Sequence, residues 1–373
     1  MSHSTGSGNR DHSASVRFSQ FQHSSAFKFP SEPRDIFTEY KEASYYYGGQ
    51  LHDSISDSIG LKSPSYKLAH DRSHNNKRDL LGSDLYQGWE NFVPLSPEIL
   101  DSSRCCYQWI DKWEKANKRS YSQRSPYVVI SPRHYLVDLT MQLFQGSKYS
   151  ILCTHLGDGK IVLSQVETNK KSQQPSSRNS AMSKKILHSG YALEDLLTRG
   201  PRVEDDPFFA IVEAKLDANI SLVLRCELDS YNELTDTFTE LKCYAPLNMH
   251  NSYHREKLLK TWIQLAISPR CDLLIGVRNT QMGQLQDLQY FTKRELYQKI
   301  NNRNLPRSPK RFNFNADVAV QWCQHCIRSI CKLVGDNVDS SSPQCFKLSI
   351  DESHKIQLEK LKHIPAHVKL PTH

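Results

Sequence analysis

Three acidic residues and a lysine lie close together on two apolar runs within the segment Ser221–Tyr244. Residues two apart share one face of a β-strand, so the carboxylates of Glu227 and Asp229 would project from the same side. Glu240 and Lys242 would share a face in the same way. As a hairpin or as neighbouring strands, the two runs would bring all four side chains to a single patch.

Such a patch has a definite chemistry. Carboxylates held close together repel one another, and a polyvalent cation is what stabilises them. Oxygen ligands with no histidine or cysteine beside them favour Mg²⁺ or Mn²⁺ over Zn²⁺. The segment therefore predicts a divalent-metal site. The alternative is two solvated edge strands that carry a surface Lys–Glu pair.

The composition narrows the class of protein. The chain has 373 residues, and its apolar content of 38% is low for a compact protein, which predicts disordered segments beside a normal core. A formal net charge of +8 favours a polyanionic partner such as nucleic acid. The ten cysteines have no regular spacing, and we find neither a signal peptide nor a membrane-length apolar run. We expect free thiols, a reducing compartment and no membrane span.

Composition also divides the chain. Residues 1–26 are rich in Ser, His and Gly and predict a disordered tail. Residues 27–335 carry the apolar patterns and predict a single domain. The remainder, 336–373, is Ser-rich and then basic, and we expect it to be mobile.

One cation precedes a predicted helix. The apolar run Tyr127–Ile130 leads into Ser131-Pro132-Arg133, and helical periodicity follows over His134–Phe144. The helix dipole mildly disfavours a cation at a helix start, so Arg133 should have another reason to be there. Binding an anionic group is one such reason, and a plain surface arginine is the alternative.

The pattern of apolar and polar residues predicts further strands, a loop and a helix. Two alternating runs flank Gly157-Asp158-Gly159 and predict a hairpin. Residues 167–183 predict a polar loop, and Asp205–Ala218 predicts a helix. Cys271–Val277 is nearly all apolar, as in a strand buried on both faces.

Two more segments have helical periodicity, His254–Ile267 and 316–334. The first places Gln264 on a polar stripe. The second contains cysteines that, with His325, suggest a metal site, but their spacing matches no standard zinc module. We interpret these thiols as small core residues instead: Cys323, Cys326 and Cys331.

An acidic residue followed about ten positions later by Glu-x-Lys is the pattern of PD-(D/E)XK nucleases. Further motifs occur in order along the chain: Arg133, Gly190-x-x-x-Glu194, Glu227-Leu228-Asp229, Glu240-Leu241-Lys242 and Trp262-Ile263-Gln264. Together they make the region from about residue 27 to 335 similar to the DXO family of eukaryotic mRNA 5′-end decapping enzymes and exoribonucleases. The segment DLYQGWENFV resembles an aromatic segment of the same family.

The resemblance implies a fold and a site. The fold is α/β (α+β), with two packed mixed or antiparallel sheets, outer helices and a PD-(D/E)XK-like core. Lys242 and Gln264 would contact the scissile phosphate and the water, and Arg133 would hold an RNA phosphate. Four carboxylates and one main-chain carbonyl would ligate two Mg²⁺ or Mn²⁺ ions: Glu194, Glu227, Asp229, Glu240 and Leu241.

The resemblance also implies an activity. Family members cut after the first transcribed nucleotide and release an intact cap dinucleotide from incompletely methylated or NAD-like RNA 5′ ends. Many then degrade 5′-monophosphate RNA in the 5′→3′ direction. We expect a monomeric, cytoplasmic enzyme, with nuclear residence as the alternative. Two other functions stay open: a weakly catalytic partner that stabilises a larger 5′→3′ exoribonuclease, and a DNA nuclease.

Two features complicate the assignment. After WIQ comes LAISPRC, where the family more often has a Gly-containing turn, and such changes put substrate preference in doubt. Glu213 competes as the fourth carboxylate. We prefer Glu194 because Glu213 lies on a pattern interpreted as helical and lacks the preceding glycine.

Overall fold

The computed structural model describes residues 33–55, 77–96, 99, 101–166, 177–198, 208–232, 235–268, 270–301, 316–339, 343–368 and 370–371. Its helices are α1 Lys77–Leu80, α2 Arg104–Asn117, α3 Arg133–Gln145, α4 Ser177–Leu197, α5 Ser252–Ile267, α6 Lys293–Ile300 and α7 Ala316–Asn337. Its strands are β1 Glu39–Tyr47, β2 Gln50–His52, β3 Tyr127–Pro132, β4 Tyr149–His155, β5 Lys160–Gln165, β6 Phe209–Asp217, β7 Ile220–Glu227, β8 Ser230–Asn232, β9 Thr237–Tyr244, β10 Cys271–Arg278, β11 Leu285–Phe291, β12 Gln344–Ile350 and β13 Ile356–Lys360.

These strands form two mixed sheets. The larger has the order β13-β12-β4-β5-β3-β7-β6-β1-β2, and the smaller has the order β11-β10-β9-β8. Strand β3 runs parallel to β5 and β7, and β9 runs parallel to β10. The remaining pairs of the described strands are antiparallel. The expected fold class, mixed sheets combined with helices, is confirmed.

One core joins the two sheets. It contains one face of each sheet together with α3, α5 and α7. Helix α2 covers the other face of the larger sheet, and α4 covers the other face of the smaller sheet. The three thiols of α7 lie in the central core, as the apolar interpretation of Cys323, Cys326 and Cys331 predicted.

Strand β10 confirms the prediction from its apolar run. Leu273 and Ile275 enter the central core, while Leu274 faces α4. Gly276 allows a close approach of that helix, because a Cβ there would lie 2.6 Å from Cδ2 of Leu193. The absence of a side chain at this position therefore leaves room for the Leu193 side chain of α4 to pack on the smaller sheet.

The predicted hairpin is also confirmed. Strands β4 and β5 pair antiparallel, and the turn residues Gly157, Asp158 and Gly159 all have positive φ, at 101°, 47° and 70°. A Cβ on Gly159 would lie 2.0 Å from the Pro126 carbonyl oxygen, so both conformation and space require glycine there.

Two predictions inside the domain were wrong. The helix expected over Asp205–Ala218 is strand β6, in which Val212 enters the central core while Ile211 faces α2. A nearly continuous apolar run conceals this alternation, and such runs do not distinguish a strand from a buried helix. The polar loop expected at 167–183 is helical from Ser177 onward.

The mobile C-terminal segment was also a wrong prediction. Within 336–373, β12 and β13 pair with each other, and β12 pairs with β4 in the larger sheet. Their alternation of apolar and polar residues is what a strand with one buried face requires. The predicted tail, 1–26, lies outside the described residues. No helix among the described residues is long and apolar enough to cross a membrane.

Candidate active site

The two apolar runs of Ser221–Tyr244 do not form a hairpin with each other. The first is β7 of the larger sheet, and the second is β9 of the smaller sheet. The chain leaves β7 at Glu227 and enters β8 at Ser230, so Asp229 lies where it passes between the sheets. Two of the predicted carboxylates, Asp229 and Glu240, both lie near Nζ of Lys242 at this junction.

Asp229 is held against the edge of β9. Its Oδ2 accepts a hydrogen bond of 2.8 Å from the backbone N–H of Leu241, beyond the end of the short β8 ladder. In a strand the N–H and C=O of one residue point to the same edge. The Leu241 carbonyl therefore also faces the edge at which Asp229 lies.

Glu240 is the most deeply buried of the predicted acidic residues, with 1% of its surface exposed. Its Oε1 accepts a hydrogen bond from Nζ of Lys242 at 2.5 Å, and its Oε2 accepts one from Nη1 of Arg133 at 2.9 Å. Burial alone would raise the pKa of Glu240, but Arg133 and Lys242 outweigh it and lower that pKa to about 2. The side chain is a carboxylate at neutral pH.

Lys242 completes this arrangement. Its Nζ also lies 3.8 Å from Oδ2 of Asp229. Burial would lower the pKa of Lys242, yet the charges of Glu240 and Asp229 raise it above its ordinary value. A lysine held as the ammonium supplies positive charge and cannot act as a general base. We call Arg133, Asp229, Glu240 and Lys242 the Glu240 cluster.

Arg133 has the anionic partner that its position at a helix start suggested. The guanidinium is buried, and besides Glu240 it donates a hydrogen bond to the hydroxyl of Ser268. That hydroxyl donates in turn to the backbone carbonyl of Gln264 at 2.7 Å. The chain of contacts joins α3, β9 and the end of α5. A direct contact of Arg133 with RNA stays a prediction.

Ser268 was not identified from the sequence. It lies directly after α5 and before Pro269, and a proline disfavours helix at the residue before it. That signal marks the end of the helix without indicating that the hydroxyl meets Arg133. Only the packing of α5 against α3 brings the two together.

The remaining predicted site residues lie on elements around the cluster. Glu194 lies on α4, beside Leu193, which packs in one apolar cluster with Leu241. Glu227 is the half-exposed last residue of β7, and Gln264 is a half-buried residue of α5. Their chemical roles stay predictions.

Carboxylates and a main-chain carbonyl are the donors that hard divalent cations prefer, so the donor set fits Mg²⁺ or Mn²⁺. Among the described residues, however, no group of three or more His, Cys, Asp or Glu side chains is arranged to hold a metal ion. Glu240 is already bound by two cations of the protein. Because a carboxylate offers about four lone-pair sites, an ion bound there would share Glu240 with Lys242 and Arg133.

Glu213, the competing carboxylate, is not part of the cluster. It lies on β6, on the face covered by α2, and not on a helix as its pattern suggested. Its carboxylate accepts a 2.6 Å hydrogen bond from the Tyr121 hydroxyl and pairs with Arg124 and, at 2.7 Å, with Lys41. We call these four residues the Glu213 cluster.

Known proteins resemble this chain over most of its length. Decapping and exoribonuclease protein 1 of Saccharomyces cerevisiae is 37% identical over 376 residues, which cover 95% of this chain and 85% of that protein. The crystal structure of Kluyveromyces lactis Dxo1 in complex with manganese has a TM-score of 0.70 and 26% identity, covering 96% of this chain and all of the other.

A more distant structure shares the fold. Candida albicans Rai1 in complex with pU5 and Mn²⁺ has a TM-score of 0.67 at 16% identity, covering 90% of this chain and 93% of its own. Residues 34–372 match the family described as RAI1-like PD-(D/E)XK nucleases. With a match of that extent and a relative more than one-third identical, this chain belongs to the RAI1-like PD-(D/E)XK nuclease family.

Proposed function

We propose that this chain is a divalent-metal-dependent hydrolase of RNA 5′ ends. It removes incompletely capped ends, unmethylated or NAD-like, as intact cap dinucleotides and degrades 5′-monophosphate RNA in the 5′→3′ direction. The observation that carries the proposal is the buried Glu240 cluster, which holds two carboxylates against two cations at the junction of the sheets. A relative named decapping and exoribonuclease protein 1 supports the choice of substrate.

We assign a separate role to each side chain at the site. Lys242, kept as the ammonium by Glu240 and Asp229, offers positive charge to the non-bridging oxygens of the scissile phosphate. Arg133 fixes the orientation of Glu240 through two guanidinium nitrogens, at 2.9 and 3.4 Å. Gln264 orients the attacking water from α5.

Two Mg²⁺ or Mn²⁺ ions complete the proposed site. When bound, they would lower the pKa of water and neutralise charge that develops on the phosphate. Two related structures that contain manganese support this choice of cofactor. The residues that would hold the ions are Glu194, Glu227, Asp229, Glu240 and the carbonyl of Leu241.

The wider setting of the enzyme is also proposed. Its partners are capped, NAD-capped or 5′-phosphorylated RNA ends, and the net charge of +8 favours such polyanions. We propose a monomer that acts in the cytoplasm without a nuclease partner.

The test is to incubate the purified protein with end-labelled RNAs that carry an unmethylated cap, an NAD cap or a 5′ monophosphate. Each reaction is run in Mg²⁺, in Mn²⁺ and in EDTA, and the small product is identified. We expect intact cap dinucleotide from capped RNA and mononucleotides from 5′-monophosphate RNA, with both lost in EDTA. Equal cleavage of matched DNA would instead indicate a DNA nuclease, since recognition of the 2′-OH distinguishes RNA.

A folded protein that yields no product in any metal would overturn the proposal. If the same inactive protein accelerated a larger 5′→3′ exoribonuclease and copurified with it, the chain would be a binding partner of that enzyme.

A further inference from the structure

Two further cations lie next to the Glu240 cluster. The ammonium of Lys257, on α5, lies 3.7 Å from the ring centroid of Tyr244. Arg278, at the end of β10, is 3% exposed and contacts the backbone carbonyl of Cys243 at 3.4 Å. Both cations thus meet the two residues of β9 that directly follow Lys242.

The partners of both cations are neutral. Arg278 donates to the Tyr86 hydroxyl at 3.2 Å and to the Ser189 hydroxyl at 3.0 Å, and Lys257 lies over an aromatic ring. In the part of the chain that the structure describes, neither cation is paired with a carboxylate. By contrast, Arg133 and Lys242 share Glu240.

Electrostatics indicate what this pair of cations lacks. Burial lowers the pKa of Lys257, and the positive charge of Arg278 lowers it further. Like charges held out of water are costly unless an opposite charge compensates them. Since neither cation faces a carboxylate among the described residues, an anion bound beside Lys257 would compensate its charge directly and that of Arg278 at longer range.

The spacing of residues along β9 gives the distance from the Glu240 cluster at which such an anion would lie. Lys242 and Tyr244 share one face of the strand, with about 6.6 Å between them along its axis. That separation is of the order of the spacing between neighbouring phosphates of an extended RNA chain. For an RNA strand that follows β9 with its scissile phosphate at Lys242, the next phosphate would lie near the Tyr244 end of the strand, within reach of Lys257.

We propose that Lys257 contacts a non-scissile phosphate of the RNA, adjacent to the scissile one, and that buried Arg278 strengthens this site by its charge. The proposal rests on the RNA-hydrolase function proposed above. It gives α5 a substrate-positioning role beyond Gln264.

The test compares Lys257→Gln with a matched control, Lys299→Gln. The ammonium of Lys299 also lies over an aromatic ring, 4.8 Å from the centroid of Phe291, on α6. Binding of a fluorescent 5′-phosphorylated oligoribonucleotide is measured by anisotropy at several salt concentrations. We expect Lys257→Gln to raise the Kd about five- to tenfold and to reduce the slope of log Kd against log salt by about 0.7, which one lost contact to single-stranded RNA predicts. Lys299→Gln should leave both quantities unchanged.

Substrate variants then identify the phosphate. The first three linkages are replaced one at a time by neutral methylphosphonate, and the 5′ phosphate is replaced by hydroxyl. On the RNA that lacks the contacted charge, wild type and Lys257→Gln should bind equally well, while Lys257→Arg should restore binding on unmodified RNA. Melting temperatures equal to that of wild type confirm that the variants are folded.

The outcomes separate this proposal from the one on which it rests. If wild type neither binds nor cleaves RNA, the proposed function fails. If wild type cleaves RNA and Lys257→Gln matches it in Kd and salt slope, only the phosphate contact is overturned. A loss of affinity that persists on every substituted RNA would likewise contradict a contact to one phosphate.

Discussion

Two buried glutamates of this protein each bind two cations, yet their surroundings differ. In the Glu213 cluster, the Lys41 side chain is 63% exposed and a tyrosine hydroxyl supplies the third contact. In the Glu240 cluster, both cations are largely enclosed, and a second carboxylate, Asp229, lies 3.8 Å from Lys242. The first arrangement ties the 3₁₀ helix Tyr121–Arg124 to strands β1 and β6. The second concentrates charge of both signs at the junction of the sheets, where a phosphodiester could be bound.

The largest expected effect separates the two glutamates. Glu240→Gln leaves Arg133 and Lys242 buried without their carboxylate, so we expect roughly a thousandfold or greater loss of kcat on 5′-monophosphate RNA. Stability should fall by about 3–5 kcal/mol. Glu213→Gln should lower stability by about 1–3 kcal/mol and leave kcat unchanged. Steady-state kinetics and urea unfolding measure both, and an equal loss of kcat in the two variants would contradict the comparison.

Removing one lysine from each cluster should likewise lower kcat far more in the Glu240 cluster than in the Glu213 cluster. Lys242→Met removes the ammonium proposed to face the phosphate, and we expect kcat to fall about a hundredfold. Lys41→Met removes an exposed partner of Glu213, with a change in stability of about 0–1 kcal/mol and no change in kcat. A Lys242→Met enzyme as active as wild type would show that this lysine serves only to neutralise Glu240.

Acid should weaken the Glu240 cluster within a defined pH window. The pKa of Glu240 is lowered from 4.5 to about 2 in the folded protein, so its carboxylate contributes its full stabilisation above about pH 4.5. That contribution is lost as pH falls toward 2. The difference in unfolding free energy between wild type and Glu240→Gln, measured with urea in EDTA, should therefore shrink from pH 5 to pH 2. A free-energy difference that stays constant from pH 5 to pH 2 would contradict the lowered pKa of Glu240 in the folded protein.

The smallest expected effect concerns the hydroxyl behind Arg133. Ser268→Ala removes one hydrogen bond from the guanidinium, and we expect a loss of about 0.5–1.5 kcal/mol in stability. A fall in kcat of a few fold should accompany it, because Arg133 orients Glu240. The matched change is Ser230→Ala, which removes a hydroxyl that donates to the Thr239 carbonyl at 3.0 Å. We expect kcat to fall further in Ser268→Ala than in Ser230→Ala. An equal fall in both variants would contradict a role of Ser268 in orienting Arg133.

Local periodicity predicted part of this site correctly. Glu240 and Lys242 share a face of β9 because residues two apart in a strand must do so. The contact of Asp229 with the Leu241 amide was not predictable in the same way. It depends on β7 and β9 entering different sheets, whereas the sequence left open a hairpin or two neighbouring strands.

Long-range packing explains the other differences between the sequence-based predictions and the structure. Arg133 meets Ser268 across 135 positions of sequence, and no local pattern specifies such a partner. Strand β6 was predicted as a helix because it is apolar on both faces, and β12 was overlooked because polar, basic residues surround it. The family resemblance supplied what periodicity could not, namely that Arg133 belongs beside the carboxylate of Glu240.

The missing methyl group at Gly276 has a consequence for how this enzyme could be tuned. Helix α4 carries Glu194, and its neighbour Leu193 occupies the space that any larger residue at Gly276 would need. An alanine there would force the end of the Leu193 side chain, on the residue next to Glu194, to move, although every acidic residue remained in place. If Glu194 binds a metal ion as proposed, its position is therefore sensitive to a substitution behind the sheet, at a residue that a search confined to charged side chains would pass over.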